Sequence, residues 1–330
     1  MTEQRANIFK CTVVLIITLE LYACSKNPLS DIDIDDFHPE PQIGVYNISQ
    51  RECELMLYRK VIRSDSPIGC ERLKKVVFNF YPLTGDQSNI NTDLGHQNEL
   101  KTNAVYMMNK PSDELNDASR PRPNGALIVL DVVADEVLSL FEELYQLKFP
   151  IKSAIPIEYF SKKERLTENM NNSLAFDSRP ITDGDKWSEH AYGAAIDINP
   201  LQNPYFYIKK SSKAILIPQS ATEGYLNRAK YRVGKPVRAG MSEKVTTVFA
   251  KHGFVVWGGD WNMPIDYMHF QIGSRQFIEQ LVALPLKDAK ALFNHFVIQV
   301  NQCFEEKADM NDIAHLRKYC VDRIFNAFDM

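Results

Sequence analysis

Apolar positions along this chain change period several times, and each change marks an element. Residues 45 to 60 look helical or mixed, and Val76-Val77-Phe78-Asn79-Phe80-Tyr81 reads as a strand ended by Pro82. From Leu83 to Asn124 the chain is polar and turn-rich, and Ser119-Arg120-Pro121-Arg122-Pro123-Asn124-Gly125 marks entry to a new region. There Ala126-Leu127-Ile128-Val129-Leu130 predicts a buried strand. Val133, Val137, Leu140, Phe141 and Leu144 then recur at helical spacing, a stripe that should pack on the sheet. Pro150 follows that helix, and Ile151 to Ile157 begins another strand. Ser242 is placed to cap a helix with Val245, Val248 and Phe249 inward. After Gly273 the pattern is helical, over 274–284, 287–306 and 310–328. Leu292, Phe293, Phe296 and Val297 form one apolar face, and Ile313, Leu316, Cys320 and Ile324 another. The order predicts an α+β fold with a helical C-terminal extension.

Two short segments, about 70 residues apart, carry the candidate chemistry: Ser188-Glu189-His190-Ala191-Tyr192-Gly193-Ala194-Ala195-Ile196-Asp197 and Asp266-Tyr267-Met268-His269-Phe270. Strand alternation puts Ile196 and Ile198 on one face and Ala195, Asp197 and Asn199 on the other. Asp197 thus projects from a strand whose back is core, where a carboxylate is costly unless a cation or hydrogen-bond donors meet it. In Met268-His269-Phe270-Gln271-Ile272 the apolar residues share one face and His269 takes the other. Two imidazoles and a carboxylate can fill three positions around zinc and leave the fourth open, the mark of a catalytic site. Asp266, three positions before His269, is on the wrong side of a regular strand, so it is expected in the turn before it, leaning over the open position. An ordinary buried hydrogen-bonded trio is the alternative that spacing alone leaves standing.

These residues resemble the zinc D-Ala-D-Ala carboxypeptidases and L-Ala-D-Glu endopeptidases, VanY-like and endolysin-type, that cut peptidoglycan stem peptides. The resemblance rests on Ser-x-His-x-x-Gly-x-Ala-x-Asp at Ser188 to Asp197, and on Gly253-Phe254 and Trp257-Gly258-Gly259-Asp260-Trp261 leading into Asp266-x-x-His269-Phe270. Asn199-Pro200, Asn203-Pro204-Tyr205 and Asn171-Asn172-Ser173-x-Ala175-Phe176-x-x-Arg179 add to it. It spans about residues 123–275. It implies a Hedgehog/D,D-peptidase-like antiparallel sheet flanked by helices, with one zinc per chain on His190, Asp197 and His269. Asp266 would be general base and later acid, and Arg179 would polarise the scissile carbonyl or hold a substrate carboxylate. Ser188 would contact substrate or orient the histidine loop. Arg179 read without the resemblance is a surface partner of Asp177 or Asp183.

Trp187, Tyr192, Tyr205, Trp257, Trp261, Tyr267 and Phe270 surround the motifs. Most are expected in the core, with Trp261 and Tyr192 as the cleft candidates that touch substrate. Glu189 reads as a solvated neighbour. His38, His96, His295 and His315 read as ordinary residues, and His252 as a last-turn histidine suited to a helix C-terminus.

A formal charge of -4 provides no basic field for nucleic acid, and no phosphate-cradling loop is present. At the N-terminus, Arg5 and Lys10 precede an apolar run, Thr12 to Leu19, too short to span a bilayer, so residues 1–23 read as a signal peptide. Leu21-Tyr22-Ala23-Cys24 resembles a lipobox, which implies acylation of Cys24 and an exported, periplasmic lipoprotein anchored at the outer membrane, with an ordinary signal peptide or an uncleaved anchor as the alternatives. Residues 24–44 then form a tether, whose Ser25–Pro41 stretch, about 17 residues, reaches roughly 56 Å when extended. Residues 45–122 are an N-terminal extension and 276–330 the helical C-terminal one. Of the remaining cysteines, Cys53, Cys70, Cys303 and Cys320, equal spacings suggest bridges Cys53–Cys70 and Cys303–Cys320, although a link between the extensions fits as well. The expected protein is a monomeric peptidoglycan peptidase. A catalytically idle zinc-containing wall-binding or structural lipoprotein is its rival.

Overall fold

A capping box separates the first strand from the first α-helix: Ser49 accepts from the Glu52 amide while the Glu52 carboxylate reaches back to the Ser49 amide. Strand β1 (Gly44–Asn47) precedes it and helix α1 (Gln50–Tyr58) follows, which accounts for the mixed pattern over 45–60. The computed structural model describes residues 29–83, 124–165, 171–181, 184–209, 211–235, 238–310 and 312–328. The expected signal peptide, Cys24 and most of the turn-rich stretch lie outside the described residues.

Strand β2 (Leu73–Phe78) lies between β1 and β4 (Gly125–Leu130), antiparallel to both. Helix α2 (Ala134–Gln146) buries Val137, Leu140, Phe141 and Leu144, and Phe141 stacks on Phe78 of the sheet with ring centroids 3.9 Å apart. Strand β3 (Tyr81–Pro82) pairs in parallel with β5 (Pro150–Ile151). The strand expected over 151–157 therefore ends almost where it begins. Asn172 is the reason: its Oδ1 accepts from the Ile155 amide and its Nδ2 donates to the Ile155 carbonyl, so a side chain replaces the ladder. Pro156 then opens a 3-10 turn.

Beyond the one-turn helix α3 (Lys162–Arg165) come strands β6 (Ala195–Asp197), β7 (Tyr205–Ile208) and β8 (Ala214–Ile217), a second single turn α4 (Thr222–Tyr225), and helix α5 (Thr246–Lys251). Strands β9 (Val256–Trp257), β10 (Ile265–Asp266) and β11 (His269–Gln271) follow. They make two antiparallel sheets, ordered β6-β11-β9 and β10-β7-β8. The fold is thus mixed helix and strand, as α+β predicts, with several small sheets among the described residues where one was expected. Ser242 does not cap α5. It opens a separate 3-10 turn with its hydroxyl buried and its amide donating to Asn203 Oδ1, while Val245, Val248 and Phe249 are buried as the pattern requires.

Helices α6 (Arg275–Ala283), α7 (Leu286–Glu306) and α8 (Ile313–Ala327) form the C-terminal extension. They bury Phe277, Phe293, Phe296, Leu316 and Ile324, whereas Ile313 is exposed at the start of α8. Disulfides join Cys303 to Cys320, linking α7 to α8, and Cys53 to Cys70. Arg72 ties three parts together: it pairs with buried Asp131 at 2.9 Å and donates to the Val282 carbonyl of α6. Asp33–Met330 form one compact unit. No helix among the described residues is long and apolar enough to cross a membrane.

His252 sits at the end of α5, as expected, yet its partners are side chains. Its two ring nitrogens meet Glu136 at 2.9 Å and Glu143 at 3.0 Å, both on α2. Burial favours the neutral ring, but the two carboxylates outweigh it and push the pKa up to about 9. A folded value above the unfolded one, near 6.5, means a contribution that is complete below pH 6.5 and lost as pH rises through 9. We predict that it is on the order of 3 kcal/mol. Urea denaturation of the wild type should show stability falling between pH 6.5 and 9.5. His252→Gln should flatten that decline, and an unchanged slope would refute the assignment.

Candidate active site

The register of β6 against β11 sets Asp197 directly opposite His269, with Ile196 facing Phe270 on the core side. A slip of one residue would turn the polar group of the slipped strand into the core. His190 arrives from a 3-10 turn, Glu189–Tyr192, whose Ser188 hydroxyl accepts from the His190 amide at 3.4 Å. Gly193 ends the turn at φ 64°, and a Cβ there would stand 2.6 Å from the Leu130 amide nitrogen. Glycine is what lets the turn lie against β4, where the Leu130 amide donates to the Gly193 carbonyl. The segment around Leu174 runs along β6, paired with Asp197 through both backbone groups.

Three atoms converge. His190 Nε2 lies 3.1 Å from His269 Nδ1, and each lies 3.2 Å from Asp197 Oδ1. All three residues are buried. The outer nitrogens are already engaged: His190 Nδ1 meets the Ala175 carbonyl at 2.6 Å, and His269 Nε2 meets Gln271 Oε1 at 2.9 Å. Gln271 has no freedom to flip, since its Nε2 donates to the Gly273 carbonyl. Both outer nitrogens must therefore carry the hydrogen, and both inner ones present lone pairs toward a carboxylate. Three acceptors at this separation repel unless a cation lies among them. Among the protein's own groups a proton plays that part: burial opposes it, but Asp197 pushes His269 up to about 9. Burial works against ionisation of Asp197 too, and the two imidazoles overcome it, holding the carboxyl far below its usual range.

A divalent metal fits the same place. Donors around tetrahedral zinc, bonded at roughly 2.0–2.1 Å, stand about 3.3 Å apart, and two imidazoles with one carboxylate suit zinc better than the oxygen-seeking magnesium or calcium. The residues that would hold it are His190, Asp197 and His269. Gln271 orients one ligand from behind, a role the sequence reading missed; period-2 alternation, which puts Gln271 on the face of His269, is the signal that could have found it. We predict that Gln271→Leu weakens zinc binding by about 10- to 100-fold, measured by competition with a chromogenic chelator, while Gln271→Glu, which keeps the acceptor, restores most of it. Equal affinity in the leucine variant would remove Gln271 from the site.

Asp266 precedes β11 as expected, but it closes a strand of its own, β10, opposite Tyr205 of β7. Its Oδ1 is buried and has no hydrogen-bond partner among the described residues. Burial, then the Asp197 charge, pushes its carboxyl up to about 7. Gly258 makes the position possible: a Cβ there would stand 2.5 Å from the Asp266 carbonyl oxygen and 2.9 Å from its Cβ. This is the close backbone approach that a short aspartate needs.

Arg179 pairs with Asp177 at 3.3 Å and is about half exposed, and its charge reaches Asp266 and favours the carboxylate. Trp261 stands beside the trio, its ring centroid 5.4 Å from that of His269, and is partly open to solvent. Tyr192 departs from its expected place in a cleft. It belongs to the core, with its hydroxyl donating to Glu279 of α6 at 3.1 Å. Glu189 is not free in solvent either, because Arg275 at the start of α6 holds it at 2.5 Å. Arg317 of α8 grips Asp260 at 2.7 Å, so the C-terminal extension buttresses the loop that carries Trp261.

Searches of the curated proteins and of the solved structures each found no match. Residues 182–272, which include all three converging side chains together with Gly258, Asp266 and Gln271, match the family model described as D-alanyl-D-alanine carboxypeptidase.

Proposed function

We propose that this domain hydrolyses peptide bonds in peptidoglycan stem peptides, with zinc held by His190, Asp197 and His269. The observation that carries the reading is the convergence of three lone-pair donors, their outer nitrogens occupied, beside a buried aspartate oxygen that has no partner among the described residues. Bound there, zinc would lower the pKa of a water to about 7 and polarise a carbonyl oxygen. Asp266 Oδ1 accepts the proton of the attacking water and returns it to the departing amine. A pKa near neutrality suits a group that must act as base and then as acid. The Arg179 guanidinium meets the carbonyl oxygen as it becomes negative, where one such donor is worth roughly 3 to 4 kcal/mol of barrier. Trp261 forms one wall against which a peptide can lie.

Export through residues 1–23 and acylation at Cys24 complete the proposal, since a tether long enough to reach the wall brings this site to that substrate. Digestion of purified muropeptides followed by mass spectrometry tests the reading. Loss of a terminal alanine identifies a carboxypeptidase, and scission between L-Ala and D-Glu an endopeptidase. Intact muropeptides after incubation with zinc-loaded protein would leave the wall-binding alternative in its place.

A further inference from the structure

The formal charge of -4 conceals an uneven distribution: between Tyr205 and Arg238 the sequence holds eight lysines and arginines against one acid, Glu223. The stretch is rooted at the candidate active site. Arg228 lies over the ring of Tyr267, the neighbour of Asp266, at 4.3 Å, and donates to Asn203 Oδ1 and the Gln202 carbonyl. Glu243 is taken up by Arg228 at 2.5 Å. Arg238 and the neighbouring Lys244 stand near further cations. Burial first, then Arg232 and Arg228, depress the pKa of Arg238, and burial followed by Lys230 depresses that of Lys244.

Farther out the loop changes character. Lys230 and Lys235 are exposed, and neither they nor Arg232 make an ion pair with any described residue. Between them Tyr231 is 74% exposed and Val233 fully so, before Gly234 turns the chain at φ 67°. Apolar and cationic residues thus alternate over Lys230-Tyr231-Arg232-Val233 at the part of the loop that packs least. A dissolved polyanion, whether nucleic acid or glycan, would use the cations and gain little from a bare valine. A lipid surface uses both kinds of residue, with phosphates for the cations and the acyl boundary for the apolar side chains. The negative remainder of the molecule would turn this side toward an anionic bilayer.

We propose that the loop 228–235 docks the protein on an anionic lipid surface, with Lys230, Arg232 and Lys235 on headgroup phosphates and Tyr231 and Val233 entering the interface. The proposal stands apart from the peptidase reading and does not depend on it. It is tested with the full chain by co-sedimentation with vesicles of phosphatidylcholine containing 30% phosphatidylglycerol, against pure phosphatidylcholine. That mole fraction is a chosen condition of roughly the anionic content that makes surface potentials matter. The wild type should prefer the anionic vesicles and release from them as salt rises. Lys230→Gln/Arg232→Gln/Lys235→Gln should weaken partitioning by roughly a hundredfold, about fivefold per cation, and Tyr231→Ser/Val233→Ser by about tenfold. Unchanged melting temperatures would show that both variants are folded. Equal partitioning of the wild type and the glutamine variant would overturn the proposal. So would a variant that keeps its vesicle binding and loses binding to purified wall sacculi or to DNA.

Discussion

Asp266→Ala is expected to retain one zinc per chain and to lose hydrolysis by roughly a hundredfold to ten-thousandfold, the usual share of a positioned acid-base group. The carboxyl is outside the converging trio, so metal content should not follow activity. Its Oδ1 is buried without a hydrogen-bond partner among the described residues, and burial with the Asp197 charge brings it near neutrality. Removing it also removes a buried polar group that the fold does not satisfy, so the variant should be no less stable than the wild type. Metal analysis, thermal melting and muropeptide turnover together check this. Equal turnover by the alanine variant would discard the mechanism and leave the metal site untouched.

His190→Ala should lose both properties. The imidazole supplies one of three inner donors, and its outer nitrogen is fixed by the Ala175 carbonyl, so no other described side chain is placed to substitute for it. Zinc should fall well below one per chain, and turnover by a thousandfold or more, since metal assistance amounts to several kcal/mol of barrier. A variant that still holds stoichiometric zinc and cleaves muropeptides would show that the metal lies elsewhere. Chelation of the wild type should reproduce the loss, and added zinc should reverse it in the wild type alone.

Much of this site was legible because β-strand alternation is strict. Once Ile196 and Phe270 are placed in the core, Asp197 and His269 must share the other face, and the register makes them opposite partners. The C-terminal helices were equally legible from their apolar stripes, and the structure adds side-chain caps to two of them, Ser274 on α6 and Asp312 on α8. Other features depend on contacts that sequence spacing does not encode. The strand expected beyond Ile151 is replaced by the amide of Asn172, a residue 17 positions from the Ile155 it bonds. Tyr192 reads as a cleft residue by its neighbours in the motif, but Glu279 of α6 draws its hydroxyl into helix packing. The close approach at Gly258 requires knowing that β10 passes beside it, and nothing local to Trp257-Gly258-Gly259 states that.

The two histidines are steadied from behind by unlike means, and the difference decides where the centre is fragile. The Ala175 carbonyl belongs to the main chain, so no exchange of side chain at position 175 deletes it. The Gln271 amide disappears with one codon change. If zinc is held as proposed, loss of function therefore has an easier opening on β11 than at the turn that bears His190, and a chain that still displays His190, Asp197 and His269 can already have lost its grip on the ion.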